Sequence, residues 1–418
     1  MKTNITLDRN MIAVAVDETV HVMVELTAPA APAARSPIDV VAVVDRSSSM
    51  DGEPIRSVRD ALGRLSRLLT PDDRLGVVTF ADEAQEVLPL AGHDTADARR
   101  SIEAIRARGS TNLSAGMFMG LDMLSAARSS ATKALVVLSD GHVNRGLTDP
   151  ATLADVCTRA AGEAGVRTTT IGFGQYFDEA LMGLLADHGG GDSHWCKGPE
   201  DAEQIYRQEF TNLVDIAAQN LTVTVTPRIK DGSLRVLNGY PMVGGPDRLT
   251  IQMGDAYAGE TRTAVMAFDV PGLADMGDVE VAELELGWIE LGAEIRRHQV
   301  RFPVMVTTTD DPDEVPALDR RVHEEVLVLG AAKTREEALE LARDGSIPAS
   351  RRALARRQEQ LAKEAAESGS ERLAEEAGEL AEEIDLLDAG WDETTAKTLW
   401  SASRTRSRSR RTRPDDPN

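Results

Sequence analysis

Cysteine and aromatic residues are scarce in this chain of 418 residues. The two cysteines, Cys157 and Cys196, are too few for the disulfide framework of a small secreted domain, so we expect reduced, buried thiols. Because aromatic residues make up only 4%, hydrophobic cores must consist mainly of Val, Leu, Ile and Ala. No apolar run approaches the roughly 18 residues of a membrane span. Asp8 and Arg9 interrupt the N-terminus where a signal peptide needs apolar residues, so a cytoplasmic protein is expected.

Positive charge is also in deficit, with 46 Lys and Arg against 69 Asp and Glu and a formal net charge of −23. This excess repels nucleic acid and anionic membranes, so we expect neither as a partner. Nearly half of it lies between Asp311 and Trp400, where 23 acidic residues face 12 basic ones. We interpret residues 309–400 as a solvated bundle of acidic helices. Residues 401–418 hold six Arg and two Asp, which predicts a disordered tail that could bind an acidic surface, including the chain's own helices, or nothing.

The chain is longer than one compact core usually allows, so several domains are expected. Residues 1–35 contain a strand-like alternation from Thr19 to Leu26, and residues 215–308 alternate in the same way over several runs separated by turn signals. The N-terminal strands have no further partners nearby in sequence, and an isolated strand pair is marginally stable in water. We therefore predict that the two segments form one β-sandwich, which would make the intervening residues 36–214 an inserted domain.

Residues 36–214 alternate between apolar runs and helical patterns. The apolar runs are typical of strands buried on both faces and comprise Ile38–Val44, Leu75–Phe80, Leu135–Leu138 and Thr168–Phe173. Segments with apolar residues at helical spacing lie between these strands and after the last of them, at Pro54–Leu69, Asp97–Ile105, Leu113–Ala126, Pro150–Ala161 and Asp178–Ala186. This order predicts a doubly wound, Rossmann-like α/β domain with a mostly parallel sheet. A last helix, from about Ala202 to Ile216, would lead from this domain into the sandwich.

The acidic C-terminal region carries recognisable helix boundaries. Thr334-Arg335-Glu336-Glu337 has the form of a capping box, which predicts that a helix begins there. Ser350 is suited to cap a second helix. The sequence Ser368-Gly369-Ser370 predicts a break before a third helix that ends near Asp388.

Polar side chains follow the first apolar strand, in the sequence Asp45-Arg46-Ser47-Ser48-Ser49. A strand end in an open α/β sheet is where ligands bind, and one turn can direct a carboxylate and two alternate hydroxyls to a single point. These are hard oxygen donors, which suit Mg²⁺ best and also Mn²⁺ or Ca²⁺. The pattern alone is a weak signal, because Asp and Ser are also common in turns and helix N-caps.

Two further segments strengthen the signal. Thr111 stands just before a predicted helix, and Asp140 follows the Leu135–Leu138 strand, with Gly141 permitting a sharp turn. If the strands are parallel, both residues lie at the same sheet edge as Asp45. Each also has a structural explanation, because Thr111 could be only an N-cap and Asp140-Gly141 only a turn.

The order and context of these segments resemble the von Willebrand factor A domain with its metal-ion-dependent adhesion site. Asp45, Ser47 and Ser49 match the family's Asp-x-Ser-x-Ser loop, Thr111 its threonine loop and Asp140 its distal aspartate. The resemblance covers residues 36–214. The layout of the flanking sandwich and helical region is similar to bacterial relatives of the inter-alpha-trypsin-inhibitor and calcium-activated-chloride-channel type.

The resemblance implies a site for a divalent cation, most often Mg²⁺, in which the hydroxyls bind the ion directly and the aspartates bind it directly or through water. It implies that an Asp or Glu of a protein partner completes the coordination, so the expected function is metal-dependent adhesion and not catalysis. Arg46 and Ser48 occupy variable positions of the loop, and with His142 they are expected to contact the partner. The residues favour no particular oligomeric state.

Two alternatives remain open at this point. A metal-dependent hydrolase would need a general base and charge stabilisation, and His142 and Arg46 are close enough in sequence to supply them. No Gly-x-Ser-x-Gly, phosphate-loop or zinc-ligand spacing accompanies them. A scaffold subunit of an AAA+ ATPase system, a role of several bacterial family members, is the second alternative.

Overall fold

The computed structural model describes residues 1–30, 37–92, 96–127, 129, 131–198, 201, 205, 215–229, 232–273, 276–290 and 296–411. The predicted helix from about Ala202 to Ile216 lies largely outside the described residues. The chain divides into two compact units. The α/β unit comprises Ala31–Ala217 and Leu291–Ile295, and the strand-and-helix unit comprises Met1–Ala30, Ala218–Glu290 and Arg296–Asn418.

The elements are numbered along the chain. The strands are β1 (Lys2–Leu7), β2 (Met11–Ala13), β3 (Glu18–Thr27), β4 (Ile38–Asp45), β5 (Arg74–Phe80), β6 (Ala84–Ala91), β7 (Thr132–Ser139), β8 (Val166–Phe173), β9 (Gly190–Cys196), β10 (Ile216–Pro227), β11 (Ser233–Val236), β12 (Met242–Gly245), β13 (Arg248–Tyr257), β14 (Thr261–Val270), β15 (Gly277–Glu290), β16 (Arg296–Thr309) and β17 (Arg410–Arg411). The described helices are α1 (Glu53–Leu68), α2 (Ala96–Glu103), α3 (Leu113–Ala126), α4 (Pro150–Ala164), α5 (Glu179–His188), α6 (Arg320–Arg343), α7 (Ile347–Ser368), α8 (Glu371–Ala389) and α9 (Glu393–Ser407).

The α/β unit contains a six-stranded sheet in the order β6-β5-β4-β7-β8-β9. Strand β4 lies in its middle and is fully buried, as expected for an apolar run covered on both faces. It pairs in parallel with β5 and β7, and the registers bring Asp45 beside Phe80 and Val44 beside Leu138. The predicted Rossmann-like α/β fold is therefore confirmed. The antiparallel edge strand β6 was not predicted, because Ala84–Ala91 mixes exposed polar residues and a proline without clear alternation.

Helix α3 packs unusually close to this sheet because two glycines, Gly116 and Gly120, face it. A Cβ on Gly116 would lie 2.7 Å from Phe80 Cδ1, and one on Gly120 would lie 2.7 Å from Leu135 Cδ1 and from Val43 Cγ2. The start of α3 is set by Asn112, whose side chain accepts a hydrogen bond from Ala115 N. The glycines thus hold the helix, and the residues just before it, against the central strands.

This close approach predicts the sign of the change in the free energy of unfolding for two matched Gly→Ala substitutions. Gly120→Ala is expected to lower the free energy of unfolding by about 1–3 kcal/mol, because the added methyl overlaps core atoms that cannot all move. Gly162→Ala in α4 meets nothing within 4 Å and is expected to raise it by roughly 0.5–1 kcal/mol through helix propensity. Urea unfolding of both variants measures these effects. Stabilisation by Gly120→Ala would contradict the tight packing of α3.

The strand-and-helix unit contains two sheets. One has the order β1-β3-β14-β11, with β17 also paired to β14, and the other has the order β12-β13-β10-β15-β16-β2. Strand β3 pairs antiparallel with β14, so strands that precede and follow the α/β unit in sequence lie side by side, with Val24 opposite Ala264. Helix α6 packs on the first of these sheets, where Val322 and Leu329 contact Met23 and Val265. The stacking of the two sheets as one sandwich stays a prediction, as do the domain boundaries given above.

Two predicted helix starts in the acidic region are wrong. Thr334 lies inside α6, which begins after the N-cap Asp319, and its hydroxyl donates to Gly330 O one turn back. Ser350 is buried inside α7, whose N-cap is Ser346. Serine and threonine can also bond within a helix, so a capping pattern does not by itself mark an end. The break at Ser368–Ser370 is confirmed, since Gly369 adopts φ 66° and the Ser370 side chain caps α8.

The prediction that residues 401–418 are a disordered tail is wrong for the described part of that segment. Helix α9 continues to Ser407, and Arg406 Nε lies 3.0 Å from Glu376 Oε2 on α8. The backbone beyond it is also held, because Asn238 Nδ2 donates to Ser407 O at 3.1 Å and β17 pairs with β14. Arginine-rich sequence alone favours disorder, but the acidic residues of α8 supply partners for Arg406 from elsewhere in the chain.

Both cysteines are buried and free of disulfides, which confirms the prediction of reduced thiols. Burial raises the pKa of each thiol to about 12, so neither is a ready nucleophile at neutral pH. No helix among the described residues is both long and apolar enough to cross a bilayer.

Candidate metal site

Three loops meet at the carboxyl ends of β4 and β7. Asp45 is the last residue of β4, and the following turn carries Ser47 and Ser49 into a short 3-10 helix before α1. Thr111 precedes α3, and Asp140 comes directly after β7. Because β4 and β7 are neighbours in parallel, their carboxyl ends lie at the same edge of the sheet.

Hydrogen bonds connect the first loop to the last. Ser47 N donates to Asp45 Oδ1 at 2.7 Å, and Ser47 Oγ lies 3.0 Å from Ser49 Oγ. Ser49 Oγ in turn donates to Asp140 Oδ1 at 2.7 Å. Four of the five predicted side chains therefore form one continuous polar group.

Thr111 completes the group from the second loop. A Cβ built on Gly141 would lie 3.6 Å from Ser49 Oγ and 3.8 Å from Thr111 Oγ1, so the two hydroxyls flank the same point. Thr111 is held in place by Asn144, whose Oδ1 accepts from Thr111 N at 3.0 Å and whose N donates to Thr111 O at 3.2 Å. The structure thus brings together all five predicted residues. Their role as metal ligands stays a prediction.

Two carboxyl groups are confined in this group without a positive partner. Asp45 is fully buried and Asp140 is 9% exposed, and neither pairs with Lys, Arg or His among the described residues. Burial raises the pKa of Asp45. Burial, with a smaller contribution from the Asp45 charge, raises the pKa of Asp140 to about 6, against the opposing Ser49 hydrogen bond. The site therefore concentrates negative charge that a bound cation would stabilise.

The donors fit a hard divalent cation. Two carboxylates and three hydroxyls supply only oxygen, the donor type that Mg²⁺ and Ca²⁺ prefer. Within the described ranges, no group of three or more His, Cys, Asp or Glu side chains is arranged to hold a metal ion, so the hydroxyls are an essential part of this donor set. Asp45, Ser47, Ser49, Thr111 and Asp140 would hold the ion, which would act as a Lewis acid toward an incoming oxygen ligand.

Ser139 is a supporting residue that the sequence analysis did not single out. Its hydroxyl donates to Asp45 Oδ2 at 2.6 Å, and it is 3% exposed. With Ser47 N on the other oxygen, Asp45 is held in one orientation. The sequence shows Ser139 only as the neighbour of Asp140, and the parallel pairing of β4 with β7, which sets Val44 beside Leu138, brings it to Asp45.

Ser139→Ala is expected to weaken Mg²⁺ binding by about tenfold to a hundredfold, the usual cost of losing a residue that orients a metal ligand. Titration calorimetry on the purified chain measures this. Ser57→Ala is the control, because Ser57 is partly exposed on α1 and its hydroxyl donates to Glu53 O of its own helix. Equal Mg²⁺ affinity in the two variants would show that Ser139 does not orient Asp45 for metal binding.

The predicted rim residues lie on the same loops. Arg46 is half-buried, its N donates to Phe80 O at 2.9 Å, and its O accepts from Arg108 N. Ser48 is exposed, and its Oγ donates to Gly109 O at 3.1 Å. The His142 side chain is 70% exposed and lies 3.6 Å from Asp178, so it faces solvent at the edge of the site.

Residues 39–208 match the family model described as the von Willebrand factor type A domain. An uncharacterized protein of Synechocystis is 27% identical over 188 residues, which cover 44% of each chain. Human inter-alpha-trypsin inhibitor heavy chain H4 is 28% identical over 236 residues, covering 51% of this chain and 25% of that one. The chain therefore spans less than half the length of these curated relatives.

The structural comparison extends over nearly the whole chain. The solved structure of von Willebrand factor type A from Catenulispora acidiphila superposes with a TM-score of 0.76 at 19% identity, covering 96% of both chains. At that identity the likeness shows a shared fold. Together with the family model, it establishes that the chain contains a von Willebrand factor type A domain at residues 39–208.

Proposed function

We propose that the protein binds another protein in a divalent-metal-dependent manner, with a partner's Asp or Glu completing the coordination of a Mg²⁺-type ion. The observation that carries this proposal is the convergence of two carboxylates and three hydroxyls at one sheet edge. Von Willebrand factor type A domains generally mediate metal-dependent protein–protein interaction, which supports the same function.

The number of ligands, and not their charge, leaves room for a partner carboxylate, because five side chains with one oxygen each do not fill the six positions of Mg²⁺. Asp45 and Asp140 together neutralise one divalent ion, and the three hydroxyls add ligands without adding charge. Mg²⁺ requires six ligands in near-octahedral geometry and exchanges its waters for carboxylate oxygens. Ser49 is exposed, so an approaching side chain reaches this group from solvent.

A hydrolytic function has less support from the geometry. A general base must lie within hydrogen-bond distance of the reacting group or one water away from it. His142 is the histidine nearest to the site in sequence, yet its side chain is 70% exposed and its Nδ1 lies 3.6 Å from Asp178, which is outside the five-residue group. We therefore propose a binding function without catalysis.

Peptide selection tests the proposal. The full chain is immobilised and a display library of random short peptides is panned in Mg²⁺ and, separately, in EDTA. Peptides enriched only in Mg²⁺ are expected to carry Asp or Glu, and changing that residue to Asn or Gln should abolish binding, because a neutral amide is a much weaker Mg²⁺ ligand than a carboxylate.

A second measurement, on the chain without peptide, is the control for this selection. Mg²⁺ uptake by the chain alone is measured by calorimetry, which separates failure to bind metal from failure to bind a carboxylate. Enrichment that is equal in Mg²⁺ and EDTA, or that selects peptides without acidic residues, would overturn the proposed function.

A further inference from the structure

A cluster of arginines borders the five-residue site in a chain that is otherwise strongly acidic. We define the basic rim as Arg46, Arg108 and Arg145. Arg46 lies within the first site loop, and its O accepts from Arg108 N at 2.6 Å. Arg145 N donates to Thr111 O at 3.3 Å, so all three residues are attached by backbone to the loops that carry the site.

The positive charge of the basic rim is only partly compensated. Asp82 is the carboxylate that pairs with it, at 3.2 Å from Arg145 Nη1, and Asp82 also accepts from Ser110 Oγ at 2.5 Å. Arg108 is exposed and makes no ion pair with a described residue, and the charges of Arg46 and Arg108 repel each other. Among the described residues, Asp82 is thus the one carboxylate that forms an ion pair with the basic rim, through Arg145.

Arg46 carries a second sign of an absent partner. Its Nε is buried, yet it donates to no acceptor among the described residues. A buried guanidinium N–H without an acceptor is costly, and such groups in native proteins usually have a ligand or water as partner. The Arg46 side chain thus keeps hydrogen-bond donor capacity that the described residues do not use.

We infer that the basic rim recognises a second acidic side chain of the partner, so that the preferred ligand is a peptide segment with two acidic residues, one for the ion and one for the arginines. This inference rests on the proposed function, because the first acidic residue is the one that completes the metal coordination. Arginine suits the second contact, since its planar group binds a carboxylate through two parallel hydrogen bonds.

Charge complementarity supports this partner class over a basic or apolar one. The site presents a cation flanked by three guanidinium groups, and an acidic segment would be steered to it against the negative field of the rest of the chain. Asp82 is 52% exposed and pairs with Arg145, so it offsets one positive charge of the basic rim and leaves the charges of Arg46 and Arg108 to attract a ligand.

The test uses a peptide selected in Mg²⁺ that carries two acidic residues. Its affinity is measured by fluorescence anisotropy for the native chain and for the triple variant Arg46→Gln, Arg108→Gln, Arg145→Gln. Changing the second acidic residue of the peptide to its amide is expected to weaken binding to the native chain by about twofold to fivefold, as for exposed charge pairs, and to have no effect on the triple variant.

The triple variant Arg67→Gln, Arg99→Gln, Arg159→Gln is the matched control, because it removes the same charge from exposed helix residues and should behave as the native chain does. Mg²⁺ affinity of the rim variant is expected to rise, since positive charge near the cation is removed. If replacing the second acidic residue of the peptide by its amide lowers the affinity equally for the native chain and the rim variant, the inference is overturned while the proposed function stays intact. Absence of any Mg²⁺-dependent peptide would overturn both.

Discussion

Asp140→Ala is expected to reduce Mg²⁺ affinity by about a hundredfold or more and to abolish metal-dependent peptide binding. Loss of residues that merely orient a ligand costs up to about a hundredfold, and Asp140 is itself one of only two charged groups in the proposed donor set. Ser47→Ala should weaken binding in the same direction through loss of a hydroxyl donor. Calorimetry on both variants measures these effects.

The fold is expected to survive Asp140→Ala, because in the absence of metal this carboxylate is a liability. It is held near Asp45 without a positive partner, and burial raises its pKa to about 6. Mg²⁺ should therefore raise the melting temperature of the native chain, by preferential binding to the folded state, and leave that of the variant unchanged.

Asp149→Ala is the matched control for Asp140→Ala. Asp149 is an exposed aspartate of the same unit whose side chain caps α4 by accepting from Thr152 N. Its loss should cost about 1 kcal/mol of stability and leave Mg²⁺ binding intact, the opposite pattern to Asp140→Ala. Normal Mg²⁺ uptake by both Asp140→Ala and Ser47→Ala would show that the metal site is wrongly assigned.

Arg335→Met is expected to lower the free energy of unfolding by about 3–5 kcal/mol, the cost of leaving buried charges without their partner. Arg335 on α6 is fully buried, and its Nε donates to both oxygens of Glu383 at 2.8 and 2.9 Å. It also contacts Glu376 and, at 3.5 Å, Glu379, all on α8. Arg406 of α9 is the other cation that faces Glu376 and Glu379.

The loss of stability in Arg335→Met should increase as the pH rises. Burial raises the pKa of Glu383 to about 7 from its ordinary 4.5, although Arg335 opposes the rise. A carboxyl whose pKa is raised in the folded state contributes stability that is present below its unfolded pKa and is lost as pH rises through its folded pKa. Removing Arg335 raises that pKa further, so the variant goes on losing stability above the pH at which Glu383 ionises in the native chain. The stability difference between the two chains should therefore widen from about pH 6 upward.

Urea unfolding followed by tryptophan fluorescence measures this, since Trp391 packs against the hydrophobic cluster of these helices. The control is Arg351→Met, which breaks an exposed pair with Asp388, at 47% and 49% exposure, and should cost no more than about 1 kcal/mol. A loss in Arg335→Met that is as small as in this control and independent of pH would show that the buried cluster is not important for stability.

Local sequence patterns were sufficient to predict the central strand and helix of the α/β unit. The run Ile38–Val44 predicted β4, and the periodicity of Leu113–Ala126 predicted α3 with the bounds that the structure has. A strand buried on both faces must be apolar throughout, and a helix must repeat its apolar residues at helical spacing, so both leave a readable pattern. The same logic located Asp45 and Asp140 at strand ends.

Contacts between distant segments decided the remainder. Ser139 orients Asp45, Arg145 reaches the site through Thr111, and Arg406 finds Glu376, yet none of these pairs is close in sequence. The sequence by itself determined which residues form the central strands and which oxygen donors stand at their ends, because polarity and periodicity are local properties. Only the tertiary structure decided which side chains support those donors. Each such contact joins two segments that are distant in the sequence, so it depends on strand order and helix packing, which neither segment determines alone.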